Sequence, residues 1–154
     1  FSVTTIQVAD KLVKAQIWDT AGQEQFRSIS KSYFRNVAGA LLFYDVTNQN
    51  SYKNIGSWMD DLKSNDVPHD AITCIANKVD LGTPLLHNEW GIQVLSNTLK
   101  EPGCSRKVFA TFLTNLFELH TSGSITTGVK CIDPSPPRVQ IRENKSTNWY
   151  CALV

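Results

Sequence analysis

The residues Gly39-Ala40-Leu41-Leu42-Phe43-Tyr44-Asp45 form one continuous apolar run, of the kind buried on both faces of a parallel sheet. Ala71 to Ala76 is a second short run of this type, and Asn77 to Leu81 reads as a loop at its carboxyl end. Between the two, Asn50-Ser51 can cap a helix through about Asn65, with Ile55, Trp58, Met59 and Leu62 spaced to share one apolar face. Upstream, Phe1-Ser2-Val3-Thr4-Thr5-Ile6-Gln7-Val8 alternates, Ala9-Asp10-Lys11 reads as a tight turn, and Leu12 to Trp18 alternates again, so a hairpin is expected. Residues 25–36 could form an irregular helix. Residues 85–100 and 107–120 both carry helical spacing, and no strand is evident between them in Glu101-Pro102-Gly103-Cys104. Strands alternating with helices argue for an open α/β sheet, which binds ligands in the loops outside the carboxyl ends of its strands. Asp19 to Glu24 and Asn77 to Asp80 both fall there.

Composition narrows the class of function. A chain of 154 residues, 42% hydrophobic and 19% charged, is the size and make-up of one globular domain. A net charge of +1 creates no field that would draw nucleic acid or an anionic membrane, so no nucleic-acid partner is expected and partners must be read from motifs. Cys74, Cys104, Cys131 and Cys151 are widely spaced, without a C-x-x-C pair, which suits thiols in a reducing compartment and favours the cytosol. No apolar run approaches the ~18 residues that cross a bilayer. From Thr121 onward Gly, Ser, Thr and Pro dominate, so residues 121–154 are expected as a flexible tail after a domain of residues 1–120. His69, His87 and His120 have no partners at metal-ligand spacing and read as surface or packing residues.

Two motifs carry the chemistry. Trp18-Asp19-Thr20-Ala21-Gly22-Gln23-Glu24 follows a strand, and Asn77-Lys78-Val79-Asp80 follows another. Together they resemble the signatures of Ras-superfamily GTPases. Lys14-Ala15-Gln16-Ile17-Trp18, Gln25-Phe26-Arg27-Ser28-Ile29-Ser30, Tyr33-Phe34-Arg35-Asn36-Val37 and Leu42-Phe43-Tyr44-Asp45-Val46-Thr47, with Phe1 at the end of the first switch, narrow the resemblance to the Rab branch. It implies a small GTPase fold of the P-loop NTPase type, with GTP or GDP and Mg²⁺ as ligands. Asp19 would then support Mg²⁺ through a coordinated water, Ala21 and Gly22 would lie against the phosphates, with the Gly22 N–H approaching the γ-phosphate where a Cβ would obstruct, and Gln23 would orient the attacking water. Asp80 would accept two hydrogen bonds from guanine that adenine cannot supply, Asn77 would contact the base edge, and the stem of Lys78 would pack over the ring. Ser105-Arg106-Lys107 resembles the Ser-Ala-Lys loop that steadies guanine, which brings Ser105 and Lys107 to the nucleotide. Phe1, Trp18 and Tyr33 fall on the family's effector-facing aromatic triad. Cys151-Ala152-Leu153-Val154 has the form of a prenylation signal on a mildly basic tail, which would hold the protein on the cytosolic face of intracellular membranes.

The resemblance has gaps. No G-x-x-x-x-G-K-[ST] occurs in the 154 residues, so the backbone cradle for phosphate, its lysine and a hydroxyl ligand for Mg²⁺ are missing from the sequence. Thr4 and Thr5 lie beyond the position of the switch threonine. The chain starts inside a strand with no lead-in, which reads as a GTPase cut short, with the first strand, phosphate loop and first helix missing. The strands ending near Trp18 and Asp45 would then lack their shared neighbour and leave backbone groups unpaired. Three readings follow: part of a GTP-hydrolysing switch in membrane traffic, a non-enzymatic module that engages Rab effectors, or a product without function.

Overall fold

Strands β1 (Ser2–Val8) and β2 (Lys11–Asp19) form the expected antiparallel hairpin, in register from Ser2↔Ile17 to Val8↔Lys11. The computed structural model describes residues 2–8, 11–20, 34–35, 37–84, 89–126, 131–132 and 149–153. The apolar run becomes β3 (Gly39–Asp45), and it is covered on both faces, as its composition requires. Ala40, Leu42 and Tyr44 belong to one buried cluster and Leu41 to the other. Helix α1 (Gln49–Lys63) lies on the first face. Its N-cap is Asn48, whose Oδ1 accepts from the Asn50 and Ser51 N–H groups at 3.0 and 3.4 Å, so the helix starts before the expected Asn50-Ser51 cap. The side chains read as one apolar face, Ile55, Trp58, Met59 and Leu62, are all buried there; a fully buried side chain of this size contributes about 1.5–3 kcal/mol.

A short 3₁₀ turn, His69–Ala71, leads into β4 (Ile72–Asn77), which pairs in parallel with β3 from Ala40↔Ile72 to Asp45↔Asn77. The next element corrects the sequence reading. Residues 93–97, expected within a helix, form strand β5 (Gln93–Asn97), parallel to β4 from Thr73↔Gln93 to Asn77↔Asn97. The strand that seemed to be missing before the last helix is therefore present. It precedes Thr98, well upstream of the Glu101–Cys104 stretch where it was sought. Helix α2 (Cys104–Thr121) follows after Gly103, whose φ of 85° is the left-handed conformation that glycine adopts without strain. It packs on the second face through Val108, Phe112, Leu113 and Leu116.

The segment expected as a tail outside the core also joins the sheet. Ile125 is buried in the cluster beneath α2, β6 (Cys131–Ile132) pairs antiparallel with Leu12 and Val13, and β7 (Trp149–Leu153) lies between β2 and β3. The strand order is β1-β2-β7-β3-β4-β5, with β6 on β2 off this path. The gap foreseen between the strands ending near Trp18 and Asp45 is filled by β7, which is parallel to both. Parallel pairing through β2, β7, β3, β4 and β5 brings the carboxyl ends of all five to one edge of the sheet.

Candidate functional site: the carboxyl edge of β3, β4 and β5

β3, β4 and β5 end in Asp45, Asn77 and Asn97, which are aligned in register. All three carry polar side chains where the strands run out. The Asn97 amide donates to Asn77 Oδ1 at 2.9 Å, and Asn97 Oδ1 accepts from the Ser105 hydroxyl at 3.0 Å. Asn97 is buried, so these two bonds satisfy groups that water does not reach. The main chain closes the same corner: the Val46 N–H donates to Asn77 O at 3.1 Å and the Val79 N–H to Asn97 O at 3.3 Å.

After Asn77 the chain reverses through Lys78, which sits at φ 61°. This left-handed conformation costs a non-glycine residue about 1–2 kcal/mol. Three contacts hold it in place. Leu81 N–H donates back to Lys78 O at 2.9 Å, Val79 is tied to Asn97, and Lys78 Nζ pairs with Asp45 Oδ2 at 2.5 Å. Asp45 Oδ1 also accepts from the Thr47 hydroxyl at 2.7 Å and the Thr47 N–H at 2.9 Å. Lys78 foremost, with Thr47 behind it, holds the Asp45 carboxyl down at about 2.

Asp80 is held from the β5 side. Its Oδ1 accepts from the Thr98 hydroxyl at 2.5 Å and its Oδ2 pairs with Lys100 Nζ at 2.9 Å. Thr98 foremost and Lys100 after it shift the carboxyl below the ordinary range, so Asp80 is an ionised acceptor at neutral pH. The two partners differ in hold. Thr98 is buried, whereas the Lys100 side chain is 71% exposed. A ligand N–H can therefore displace Lys100 while Thr98 continues to fix the carboxylate. A cavity of about 410 Å³ opens beside this corner, lined by Asn77 and Asn97 together with apolar Leu41, Phe43, Val108 and Phe109, a volume suited to a small ligand.

The structure brings Asn77, Lys78 and Asp80 together, and adds Asp45, Asn97, Thr98 and Lys100, which the sequence reading did not assign to the site. Ser105 and Lys107 are placed differently from expectation. They belong to the first turns of α2, and the loop that follows the last of the parallel strands β3–β4–β5 is Thr98-Leu99-Lys100. Ser105 touches the corner through Asn97, with Asp80 held by Thr98 instead. Asp19 ends β2 at the same edge of the sheet, separated from β4 by β7 and β3. Trp18 precedes it in β2, half-buried and paired with Ala152. Phe1, Ala21, Gly22, Gln23 and Tyr33 lie outside the described residues, and Cys151 is the third residue of β7.

A Ras family model matches residues 1–111. The chain belongs to the Ras family. Its relatives place it among the Rab-type small GTPases. It is 48% identical over 82 residues to Ras-related protein RABA6b of Arabidopsis thaliana, which covers 53% of this chain and 36% of that protein. It is 36% identical over 128 residues to Ras-related protein Rab11A of Nicotiana tabacum, covering 77% of this chain and 59% of that protein. Against the GTP-binding protein ypt3 of Schizosaccharomyces pombe it is 29% identical over 168 aligned positions, covering 98% of this chain and 78% of ypt3. Its mixed α/β architecture, a largely parallel sheet with helices on both faces, is that of this small GTPase family. In the corner described above, Asp80 is an ionised acceptor on a braced loop. The sequence holds no G-x-x-x-x-G-K-[ST], and among the described residues no cluster of three metal-ligating side chains occurs. Among these residues, no helix is long and apolar enough to cross a membrane.

Proposed function

We propose that this Ras-family chain is a guanine-recognising Rab-type module that serves membrane traffic. The observation that carries the reading is Asp80, ionised, pinned through Oδ1 by buried Thr98 and reachable at Oδ2 once exposed Lys100 moves aside. Guanine offers a ring N–H and an exocyclic N–H side by side, which match a carboxylate; adenine would leave the carboxylate unpaired. Asn77 would meet the base edge, and the aliphatic stem of Lys78 would cover the ring. Asp19, Ala21, Gly22 and Gln23 belong to the same proposal as the phosphate-side residues, Asp19 toward Mg²⁺ and Gln23 toward water. Guanine recognition at Asp80 needs none of the phosphate-cradling residues, which are not among these 154. Phe1, Trp18 and Tyr33 would face effectors and regulators, and a lipid on Cys151 would hold the protein at the cytosolic face of intracellular membranes.

A second reading is a non-enzymatic binder of Rab effectors, which would rest on Phe1, Trp18 and Tyr33. Calorimetric titration of the purified chain with GDP and ADP separates the two. Under the first reading GDP binds at least about a hundredfold more tightly than ADP, as expected when the Asp80 carboxylate would otherwise lack the two donors that guanine supplies. Asp80→Asn, which presents an N–H where guanine presents its own, should reverse the preference toward xanthosine diphosphate, whose base carries a carbonyl at that edge. Equal, weak binding of GDP and ADP by the folded chain would leave the second reading standing, and capture of Rab effectors would then test it.

A further inference from the structure

Three polar side chains on the wall of the cavity at the corner form one directed chain of hydrogen bonds. The Ser105 hydroxyl donates to Asn97 Oδ1 at 3.0 Å, and the Asn97 amide donates to Asn77 Oδ1 at 2.9 Å. Both bonds point the same way, so each strengthens the other. Asn77 therefore engages Asn97 through its oxygen and turns its N–H₂ group to the other side. The members differ in surroundings: Asn97, in the middle, is buried, while Ser105, in the first turn of α2, is exposed. The Asn97 backbone is pinned, because it pairs with Asn77 in the β4–β5 ladder and its carbonyl accepts from the Val79 N–H at 3.3 Å. Only its terminal amide can turn, and that torsion has two settings of nearly the same shape, which exchange oxygen and nitrogen.

We propose that Ser105 is a positioning residue for the base: by donating to Asn97 it sets the direction of the whole chain of bonds, and so decides that Asn77 offers a donor to the edge of the nucleotide base. The inference rests on the reading of Asn77 and Asp80 as a guanine site, and it divides the work between them. Asp80 selects guanine over adenine through the N–H groups that guanine alone supplies. Asn77, with its donor outward, meets the N7 acceptor that both purines carry. A side chain at position 105 that can only accept reverses the chain. The Asn97 N–H₂ group then turns to residue 105, Asn97 Oδ1 accepts from Asn77, and the Asn77 oxygen faces N7, so that two acceptors meet with no proton between them. Residue 105 thus acts on the base through two other side chains.

The test compares GDP with 7-deaza-GDP, in which N7 is replaced by C–H, and with ADP, by calorimetric titration of the full chain and of Ser105→Thr, Ser105→Ala and Ser105→Asp. The unaltered chain and Ser105→Thr, which keeps the hydroxyl, should bind GDP about tenfold more tightly than 7-deaza-GDP, as expected for one hydrogen bond whose loss leaves a polar group unmet. Ser105→Asp presents only acceptors and suits the first turn of a helix. It should bring that ratio to about one while GDP stays preferred over ADP, a split that a general loss of structure does not produce. Ser105→Ala, with neither donor nor acceptor, should fall between the two. A tenfold ratio retained in Ser105→Asp and Ser105→Ala overturns the proposal. Proton NMR of the chain without added nucleotide reads the same bonds independently. Cross-relaxation from the Asn97 side-chain N–H protons should run to the Asn77 β protons in the unaltered chain and to the β protons of residue 105 in Ser105→Asp. Where the unaltered chain does not prefer GDP over ADP, the guanine reading fails and the NMR pattern decides: its reversal supports Ser105 as the residue that sets the direction, and an unchanged pattern overturns that role.

Discussion

The corner at Asn77–Asp80 and the position held by β7 are two ways of finishing the same sheet. In the corner, side chains from three neighbouring strands interlock: Asn97 bridges Asn77 and Ser105, Thr98 holds Asp80, and Lys78 holds Asp45. At β7 the described links are backbone pairs to β2 and β3, drawn from the far end of the chain. The corner is thus specified by residue identity, while the described hold on β7 is a main-chain ladder beside a close approach at Gly39. A side-chain network admits few substitutes, because each truncated member leaves a polar partner unmet. A ladder of main-chain bonds accepts any strand of suitable length and shape.

Substitutions should separate the two. The largest effect is expected at Gly39, where an added Cβ would come within 2.4 Å of Ala71 O and 2.6 Å of Leu116 Cδ2. The carbonyl belongs to the backbone and cannot swing away, so Gly39→Val should cost about 3 kcal/mol, the upper part of the range for overpacking, read as a lowered urea midpoint. It should also loosen β7, since Gly39 pairs with Cys151; an unchanged midpoint would mean that β3 sits farther from the 3₁₀ turn. In the corner, Asn97→Ala removes a buried bridge and leaves the Asn77 and Ser105 groups to find other partners. A loss of about 2 kcal/mol is expected, with β7 amide protection unchanged relative to the global value. Thr98→Val preserves shape but deletes the hydroxyl that binds Asp80, for about 1 kcal/mol. Guanine preference should weaken more than stability does, and a variant that keeps full preference would show that Lys100 alone suffices to position Asp80.

The sequence disclosed these two regions unequally. β3 and β4 were legible because strands covered on both faces must be apolar throughout, and α1 because Ile55, Trp58, Met59 and Leu62 repeat at helical spacing. β5 was not. It is five residues long, its one buried residue is polar Asn97, and its neighbours are half-buried or exposed, so no apolar period distinguished it from the helical spacing around it. With the strand unseen, the loop at its end was sought at Ser105 instead of Thr98. The useful signal was the polar run Ser96-Asn97-Thr98 directly after Val94-Leu95, which is the pattern of a strand reaching a ligand edge. β7 was hidden by its setting: Trp149 to Leu153 suits a strand, but it follows a Gly-, Ser-, Thr- and Pro-rich stretch whose composition argues for a tail. Asn48 was passed over as the cap of α1 because Asn50 and Ser51 are equally good capping residues, and the choice is made by the turn after Asp45, where the Asn48 N–H donates to Asp45 O at 2.9 Å.

Acid offers the gentlest way to part the corner from the central strand. Asp45 titrates at about 2 in the folded protein against an ordinary 3.8, with the Lys78 contact as the main cause, and Asp80 is displaced in the same direction by Thr98. A carboxylate whose folded value is depressed contributes its stabilisation fully above the unfolded value and loses it as pH falls through the folded value, because the unfolded chain takes up the proton first. For Asp45 the window runs from about 4 down to about 2. Backbone pairs carry no titrating group, so the ladder that holds β7 has no such window of its own. Between pH 7 and 4 both regions should keep their amide protection, after correction for intrinsic exchange, and below pH 4 the Lys78–Asp45 contact should weaken ahead of the β7 pairs. Lys78→Met keeps the stem and removes the charge, and should move the Asp45 midpoint up toward the ordinary value in a carboxyl-carbon NMR titration. A midpoint near 3.8 already in the unaltered protein would mean that Lys78 does not hold Asp45 in solution, and the corner would then rest on Asn97 and Thr98 alone.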